Sequence, residues 1–289
     1  MCRRLGGECR RQTIWYPQQL HPSRDYGVEF GMDDNLLKNI WSQESYYQKI
    51  AQSEDFSHPG FKRIEEGVKN ATSILDVGCG DGSKLARLGG KKTQRTGVDV
   101  SSKALALAGK KFPQMSLRVS GAEKLPFDND EFELVTCLFV LEHTQDPERV
   151  IKEIVRVVRP AGKIYLLAPN FGAPNRASPN YRRSRLIKLI TGLVADFTSN
   201  PRLSWQKVTP RIRTIEQFQS DLDTTVEPYL GSLIKFLARQ PVRIHQTSSF
   251  WQMERGEAKF IQKIFRFFGA RGVYPFKYWG PHLFVVAQK

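Results

Sequence analysis

Cysteine is scarce in this chain: four in 289 residues, at positions 2, 9, 79 and 137, with no Cys-x-x-Cys pair. That excludes a disulfide framework and a cysteine zinc site, and makes a reducing compartment the expectation. No apolar run approaches the ~18–20 residues needed to span a bilayer. Met1 to Glu8 carry charge with no apolar segment behind them, so they do not read as a secretory signal. Internal repeats, low-complexity blocks and His/Cys/Asp/Glu clusters at metal-ligand spacing are missing too, and no metal is expected. Acid is short in one half. Residues 176–289 hold 19 Lys/Arg against 7 Asp/Glu, whereas residues 1–175 hold 25 against 22.

What is present is a globular composition, 40% hydrophobic and 11% aromatic, carrying a net charge of +15. The expectation is a soluble, cytoplasmic protein with one elaborated domain or two small ones. A basic half is either a solvated surface or a face for anionic partners such as phosphates, nucleic acid or an acidic membrane. Residues 1–31 are broken by Gly6-Gly7, Pro17, Pro22 and Gly27 and read as an irregular leader, dispensable for folding. Residues 32–70 read as a helical cap, with apolar positions Leu36, Leu37, Ile40, Trp41, Tyr47 and Ile50.

From Ser73 the pattern becomes strand, tight loop, helix, repeated. Ile74-Leu75-Asp76-Val77, Thr96 to Val100, Ser116 to Ser120, Glu133 to Val140 and Lys163 to Ala168 are the expected strands. Ser101 and Asp146-Pro147 start helices between them. Alternation on this scale predicts an α/β fold with a parallel, doubly wound sheet. It stops after Pro169-Asn170. Residues 171–250 read as an insertion over the site, with helical pieces at Arg185 to Phe197 and Val226 to Arg239. Residues 251–289 read as a helix, Glu257 to Phe268, and a hairpin of Val273 to Tyr278 with His282 to Ala287.

The most informative stretch is Ile74-Leu75-Asp76-Val77-Gly78-Cys79-Gly80-Asp81-Gly82. Its glycines let backbone approach a ligand with no Cβ in the way. The spacing is GxGxG, with Asp76 inside the preceding strand and a second acid, Asp99, at the end of the next. A carboxylate at that strand end is placed to accept both hydroxyls of a ribose.

These residues resemble a class I S-adenosylmethionine-dependent methyltransferase, of the type-11 and ubiquinone-type O-methyltransferase-like kind. The likeness continues through Ser120-Gly121-Ala122-Glu123-Lys124-Leu125-Pro126-Phe127, Val135 to His143, and Arg156-Val157-Val158-Arg159-Pro160-Ala161-Gly162, and covers roughly residues 70–170. It implies a Rossmann-like, mostly parallel seven-stranded sheet with an antiparallel C-terminal hairpin strand, plus N-terminal helices and an inserted lid. Residues 71–170 would be the S-adenosyl-L-methionine-binding core. By the same resemblance Asp76, Gly78, Cys79 and Gly80 would hold the methionine end of that cofactor and Asp99 its ribose. Ala122 and Glu123 would border the adenine, and Leu138 would line the pocket beside the methyl donor. Other readings stand beside these: Gly82 as a helix-packing glycine, Cys79 as a small buried residue, Leu138 as core. The family often has Asp where this chain has Gly121, and Asp where it has Glu133.

A sulfonium is an activated methyl donor, so positioning supplies much of the catalysis; a hydroxyl acceptor also needs a base. His143 is the expected catalytic base, being at a carboxyl end of the sheet. Glu142 and Asp146 are alternatives, the latter also a helix cap, and Asp221, Asp223, Glu227 and His245 are unranked. Nucleic acid is not the expected acceptor. Leu141-Glu142-His143-Thr144 stands where base-amine enzymes carry an Asn/Asp-Pro-Pro-aromatic motif. The expectation is O-methylation of a small or lipid-linked acceptor, anionic, with glycans included. C- or N-methylation of a quinone-like or amine metabolite, or a non-catalytic cofactor-binding scaffold, are the alternatives. Arg182 to Ile190 is basic and apolar, as expected of a peripheral contact with the inner membrane surface. Oligomeric state has no signature.

Overall fold

Short apolar segments that stop at a glycine or an acid build the sheet, as seen in a computed structural model. It describes residues 40–289 apart from 42, 54, 55, 199, 201, 204, 213–220 and 252–259, with backbone alone at 51–53 and 261. The expected leader (1–31), the first part of the helical cap (32–39) and the start of the helix expected from Glu257 lie outside the described residues.

Helices α1 (Glu44–Ser53) and α2 (Pro59–Gly67) precede β1 (Ser73–Val77). Then come α3 (Ser83–Arg87), β2 (Gln94–Asp99), α4 (Ser102–Lys111), β3 (Ser116–Val119), β4 (Phe132–Leu138), α5 (Pro147–Val157) and β5 (Val158–Pro169). Beyond them lie α6 (Arg185–Phe197), β6 (Gln206–Lys207), β7 (Val226–Glu227), α7 (Leu230–Leu237), β8 (Arg243–Ser248), α8 (Phe260–Ala270) and β9 (His282–Gln288). Seven strands form one sheet in the order β3-β2-β1-β4-β5-β9-β8. The first five are parallel, and β9 runs antiparallel between β5 and β8. The expected Rossmann-like α/β sheet with an antiparallel last strand is therefore present.

Local chemistry sets the helix ends. Ser101 Oγ accepts from the Ala104 amide at 3.2 Å and starts α4. Asp146 Oδ1 accepts from the Arg149 amide at 3.1 Å and starts α5, with Pro147 in the first turn. The buried stripe of α5 (Val150, Ile151, Ile154, Val155, Val157) joins Leu75, Val135 and Ile164 on one side of the sheet. Phe61, Ile64, Leu85 and Leu88 pack with Ile74, Leu134 and Leu167 on the other.

Two expectations need correction. The hairpin partner of β9 is β8, Arg243–Ser248, within the segment expected to be an insertion. Residues Val273 to Tyr278 form no strand; Phe276–Tyr278 is a single 3₁₀ turn. Strand β8 lies at the sheet edge and is largely exposed, so its only aliphatic side chain is Ile244 and no apolar alternation marks it. The segment 171–250 is also not external to the core. Leu230, Leu233, Phe236 and Leu237 of α7 are buried in it. Asn170, fully buried, ties these parts together. Its Nδ2 donates to the Tyr278 and Gly280 carbonyls at 2.7 and 2.8 Å, and its Oδ1 accepts from the Leu230 amide at 2.9 Å.

Candidate active site

The carboxyl ends of β1, β2 and β4 meet at one edge of the sheet, where open α/β sheets form their binding crevice. Gly78 follows β1 with φ +75°, and a Cβ there would stand 2.3 Å from Val140 Cγ2. Only glycine permits both the conformation and the approach. The amides of Gly78 and Cys79 donate to the Val98 carbonyl at 2.8 and 2.9 Å, which folds the loop over the end of β2. Gly80, at φ +55°, donates its amide to Asp99 Oδ2 at 2.9 Å. Asp99 Oδ1 accepts from the Ser101 amide at 2.9 Å and lies 3.5 Å from the Tyr47 hydroxyl. Burial raises the Asp99 carboxyl above its ordinary pKa although these hydrogen bonds pull the other way.

Asp76 lies beneath the loop, buried, and accepts from the Thr136 hydroxyl at 2.6 Å. Cys79 is buried too, and burial pushes its thiol well above the usual range, which leaves it a packing residue rather than a nucleophile. Gly82 belongs to packing: a Cβ there would press on Ala108, Phe112 and Met115. Leu138 is buried at the end of β4. Glu123 Oε1 accepts from the Gln145 amide at 3.3 Å, and Ala122 packs against the core beside it.

His143 does not end β4. It sits in a 3₁₀ turn, Leu141–His143, reached after Phe139 takes the left-handed conformation at φ +59°. Its Nδ1 is 3.3 Å from the Asp223 carbonyl and 3.7 Å from Asp223 Oδ2, while Nε2 is 3.8 Å from Glu142 Oε1. Its side chain is 22% exposed, enough to meet a ligand. Burial disfavours charging His143, yet Asp223, Glu142 and the Asp223 carbonyl outweigh it and raise its pKa. Glu142 is buried with Oε2 lacking a hydrogen-bond partner, and desolvation pushes its carboxyl up to about 7. Asp223 Oδ2 also accepts from the Tyr46 hydroxyl at 2.5 Å and from the Trp41 indole at 3.2 Å. The indole stands edge-on to His143, with ring centroids 6.0 Å apart.

The four unranked residues now separate. Asp223 meets His143, and Asp221, in the same turn, adds negative charge beside it. Glu227 is buried in a pair with Lys188 at 2.5 Å. His245 lies on the edge strand against Gln288, off the crevice. Asp146 is occupied as a cap, and Glu133 binds Thr72 and Arg159 at the amino ends of the strands, away from the glycine loop. Sequence reasoning missed Trp41, Tyr46 and Tyr47 as site residues, because their apolar spacing reads as an ordinary helix stripe. It also passed over Val100, left 53% exposed directly after Asp99. An apolar residue bared beside an acid at a strand end was the available signal. Among the described residues no group of three or more His, Cys, Asp and Glu is placed to hold a metal ion.

The donor set fits a nucleoside-bearing cofactor. It has a glycine bend over the cleft, a carboxylate at the end of β2 already oriented by two amides, and an exposed apolar side chain beside that carboxylate. Comparison with known proteins agrees. Residues 75–166 match the family described as "Methyltransferase domain". Over 99 residues the chain is 37% identical to a demethylmenaquinone methyltransferase of Chlorobaculum tepidum, covering 33% of this chain and 40% of that protein. Over 114 residues it is 34% identical to a ubiquinone biosynthesis O-methyltransferase of Coxiella burnetii, covering 38% and 49%. These matches span less than half the length of either relative. The crystal structure of an S-adenosylmethionine-dependent methyltransferase from Mesorhizobium loti shares the fold, with TM-score 0.52 at 17% identity over 82% of this chain and 99% of that one. Residues 75–166 are thus similar to a methyltransferase domain, and the chain shares the Rossmann-like fold of the Mesorhizobium loti enzyme.

Proposed function

We propose that the whole chain is an enzyme that transfers a methyl group from S-adenosyl-L-methionine to an oxygen of a small or lipid-linked acceptor, a glycan-bearing lipid included. The observation that carries this reading is Asp99: a buried carboxylate, oriented by the Gly80 and Ser101 amides, at the rim of the glycine loop. When bound, the cofactor supplies a methyl group on a sulfonium, which leaves readily. In this reading Asp99 takes the ribose hydroxyls, while Asp76 and the Gly78–Gly80 bend line the methionine end. Val100, Ala122 and Glu123 border the adenine, and Leu138 excludes water beside the methyl donor.

His143, lodged between Glu142 and Asp223, removes the acceptor's hydroxyl proton. A base is needed for oxygen, because a neutral hydroxyl is a poor nucleophile. Asp223 orients the imidazole and stabilises its charged form, and Trp41 and Tyr46 hold Asp223 in place. Quinone-like acceptors are the second reading, favoured by the names of the two relatives. They are the first compounds to assay.

Calorimetry on the full chain tests the cofactor half. S-adenosylmethionine or its demethylated product should bind, and Asp99→Ala should weaken binding by at least ~1 kcal/mol, about fivefold, as a charge-assisted acceptor is lost. Binding of NAD with no binding of S-adenosylmethionine would defeat the assignment.

A further inference from the structure

Helix α6 is turned inside out for a protein in water. Its side chains beyond Arg185 that carry charge, Lys188 and Asp196, point inward. Lys188 Nζ reaches Glu227 and the Phe171 carbonyl at 2.5 and 2.7 Å, and Asp196 accepts from the Tyr229 and Tyr274 hydroxyls at 2.7 and 3.1 Å. Leu189 and Leu193 pack on the core, and Gly192 lies against Pro174. The outward stripe is apolar: Leu186, Ile187, Ile190, Val194 and Phe197 are between 54% and 78% exposed. Their spacing places them along one face of a helix about 20 Å long.

The stripe does not end with α6. Phe197 meets the Tyr274 ring at 5.5 Å. Val273, 40% exposed, joins Tyr274 to the end of α8 through the hydrogen bond its amide donates to the Phe268 carbonyl. Phe267 and Phe268 are exposed there, with Arg271 3.4 Å above the Phe267 ring. Positive charge dominates the segments that form this surface. Residues 171–195 and 260–289 contain ten Lys/Arg and not one Asp or Glu. Arg182, Arg183 and Arg185 cluster, exposed, where α6 begins.

We infer that the outward face of α6, continued by Phe197, Tyr274 and the end of α8, docks on an anionic lipid surface, with the helix lying in the headgroup plane. Apolar side chains enter the acyl boundary while arginines at the helix start reach phosphates, the arrangement of interfacial helices. The one acid bordering this face among the described residues of α6 and α8, Asp196, is taken by the Tyr229 and Tyr274 hydroxyls, so a basic partner protein finds little to pair with, whereas an anionic bilayer matches both the apolar stripe and the arginines at its border. Vesicle binding is read without turnover, so this inference and the proposed methyl transfer fail separately.

The full chain should co-sediment with vesicles of phosphatidylcholine plus phosphatidylglycerol, and far less with phosphatidylcholine alone or in high salt. Ile190→Glu with Val194→Glu should lower the partition coefficient about tenfold or more, since two apolar insertions are replaced by charge of the wrong sign. Arg182→Ala, Arg183→Ala and Arg185→Ala together should weaken it and flatten the salt dependence. Melting temperature and cofactor affinity should stay at parental values, because all five side chains are exposed. A parent that ignores anionic vesicles, or a glutamate variant that binds them equally, overturns the inference. So does a parent that elutes as a dimer and becomes a monomer on introducing the glutamates, which would assign the face to a second copy of the chain.

Discussion

His143 owes its chemistry to neighbours that lie 80 residues away in sequence. Asp223 contributes a carbonyl and a carboxylate near Nδ1, and the sum of nearby negative charge raises the imidazole above its ordinary value of 6.5. A base acts only when deprotonated, so kcat/KM for a hydroxyl acceptor should climb with pH through a midpoint above that value. Asp223→Asn keeps an acceptor for Tyr46 and Trp41 but removes one negative charge. The imidazolium then loses its proton more easily, and the acidic limb should move to lower pH with cofactor affinity unchanged. A pH–rate profile reads this directly; an unmoved limb would reduce Asp223 to packing. Cys79 illustrates the opposite outcome. It sits in the most informative loop of the chain, yet burial makes it inert.

At the scale of elements, α6 is held by one buried ion pair. Lys188 and Glu227 are both buried, and Glu227 Oε1 also accepts from the Ser178 amide at 2.7 Å. Burial lowers the Lys188 pKa while Glu227 pulls it back up. Removing one partner leaves the other charged in a desolvated place. Lys188→Ala should therefore cost about 3–5 kcal/mol in denaturant unfolding, and Lys188→Met with Glu227→Leu should recover much of it. A loss equal in single and double variants would show that packing, not charge, anchors α6. The turn 221–225 is fastened differently. Thr225 donates its amide to the Glu142 carbonyl at 2.8 Å and its hydroxyl to the Thr144 carbonyl at 3.0 Å, which clamps this turn onto the one that carries His143.

For the whole molecule, the segment between β5 and β9 serves two ends at once: it brings Asp223 to His143 and completes the sheet through β8. Excising 171–250 would take away β8, strip one edge from β9 and remove the buried side chains of α7. Such a deletion should abolish cooperative unfolding, as followed by calorimetry, because several fully buried Leu and Phe side chains contribute about 1.5–3 kcal/mol each. A deletion variant that still melts in one sharp transition would return the segment to the status of a detachable lid. The described helices include none long and apolar enough to cross a membrane.

The sequence by itself determined the parallel core, the glycine bend, Asp99 and both helix caps, since each depends on residues within a few positions of one another. Helix α6 was legible to the residue at both ends for the same reason: Ser184 caps it, and apolar residues recur at helical spacing from Leu186 to Phe197. Only the tertiary structure decided the partner of β9, because an exposed edge strand holding a single aliphatic side chain leaves no periodic trace. Only it ranked Asp223 above Asp221, Glu227 and His245, and brought Trp41, Tyr46 and Tyr47 to the crevice. Those choices rest on contacts between segments 50 to 180 residues apart, set by how helices and loops settle over the sheet. Local spacing carries no record of them.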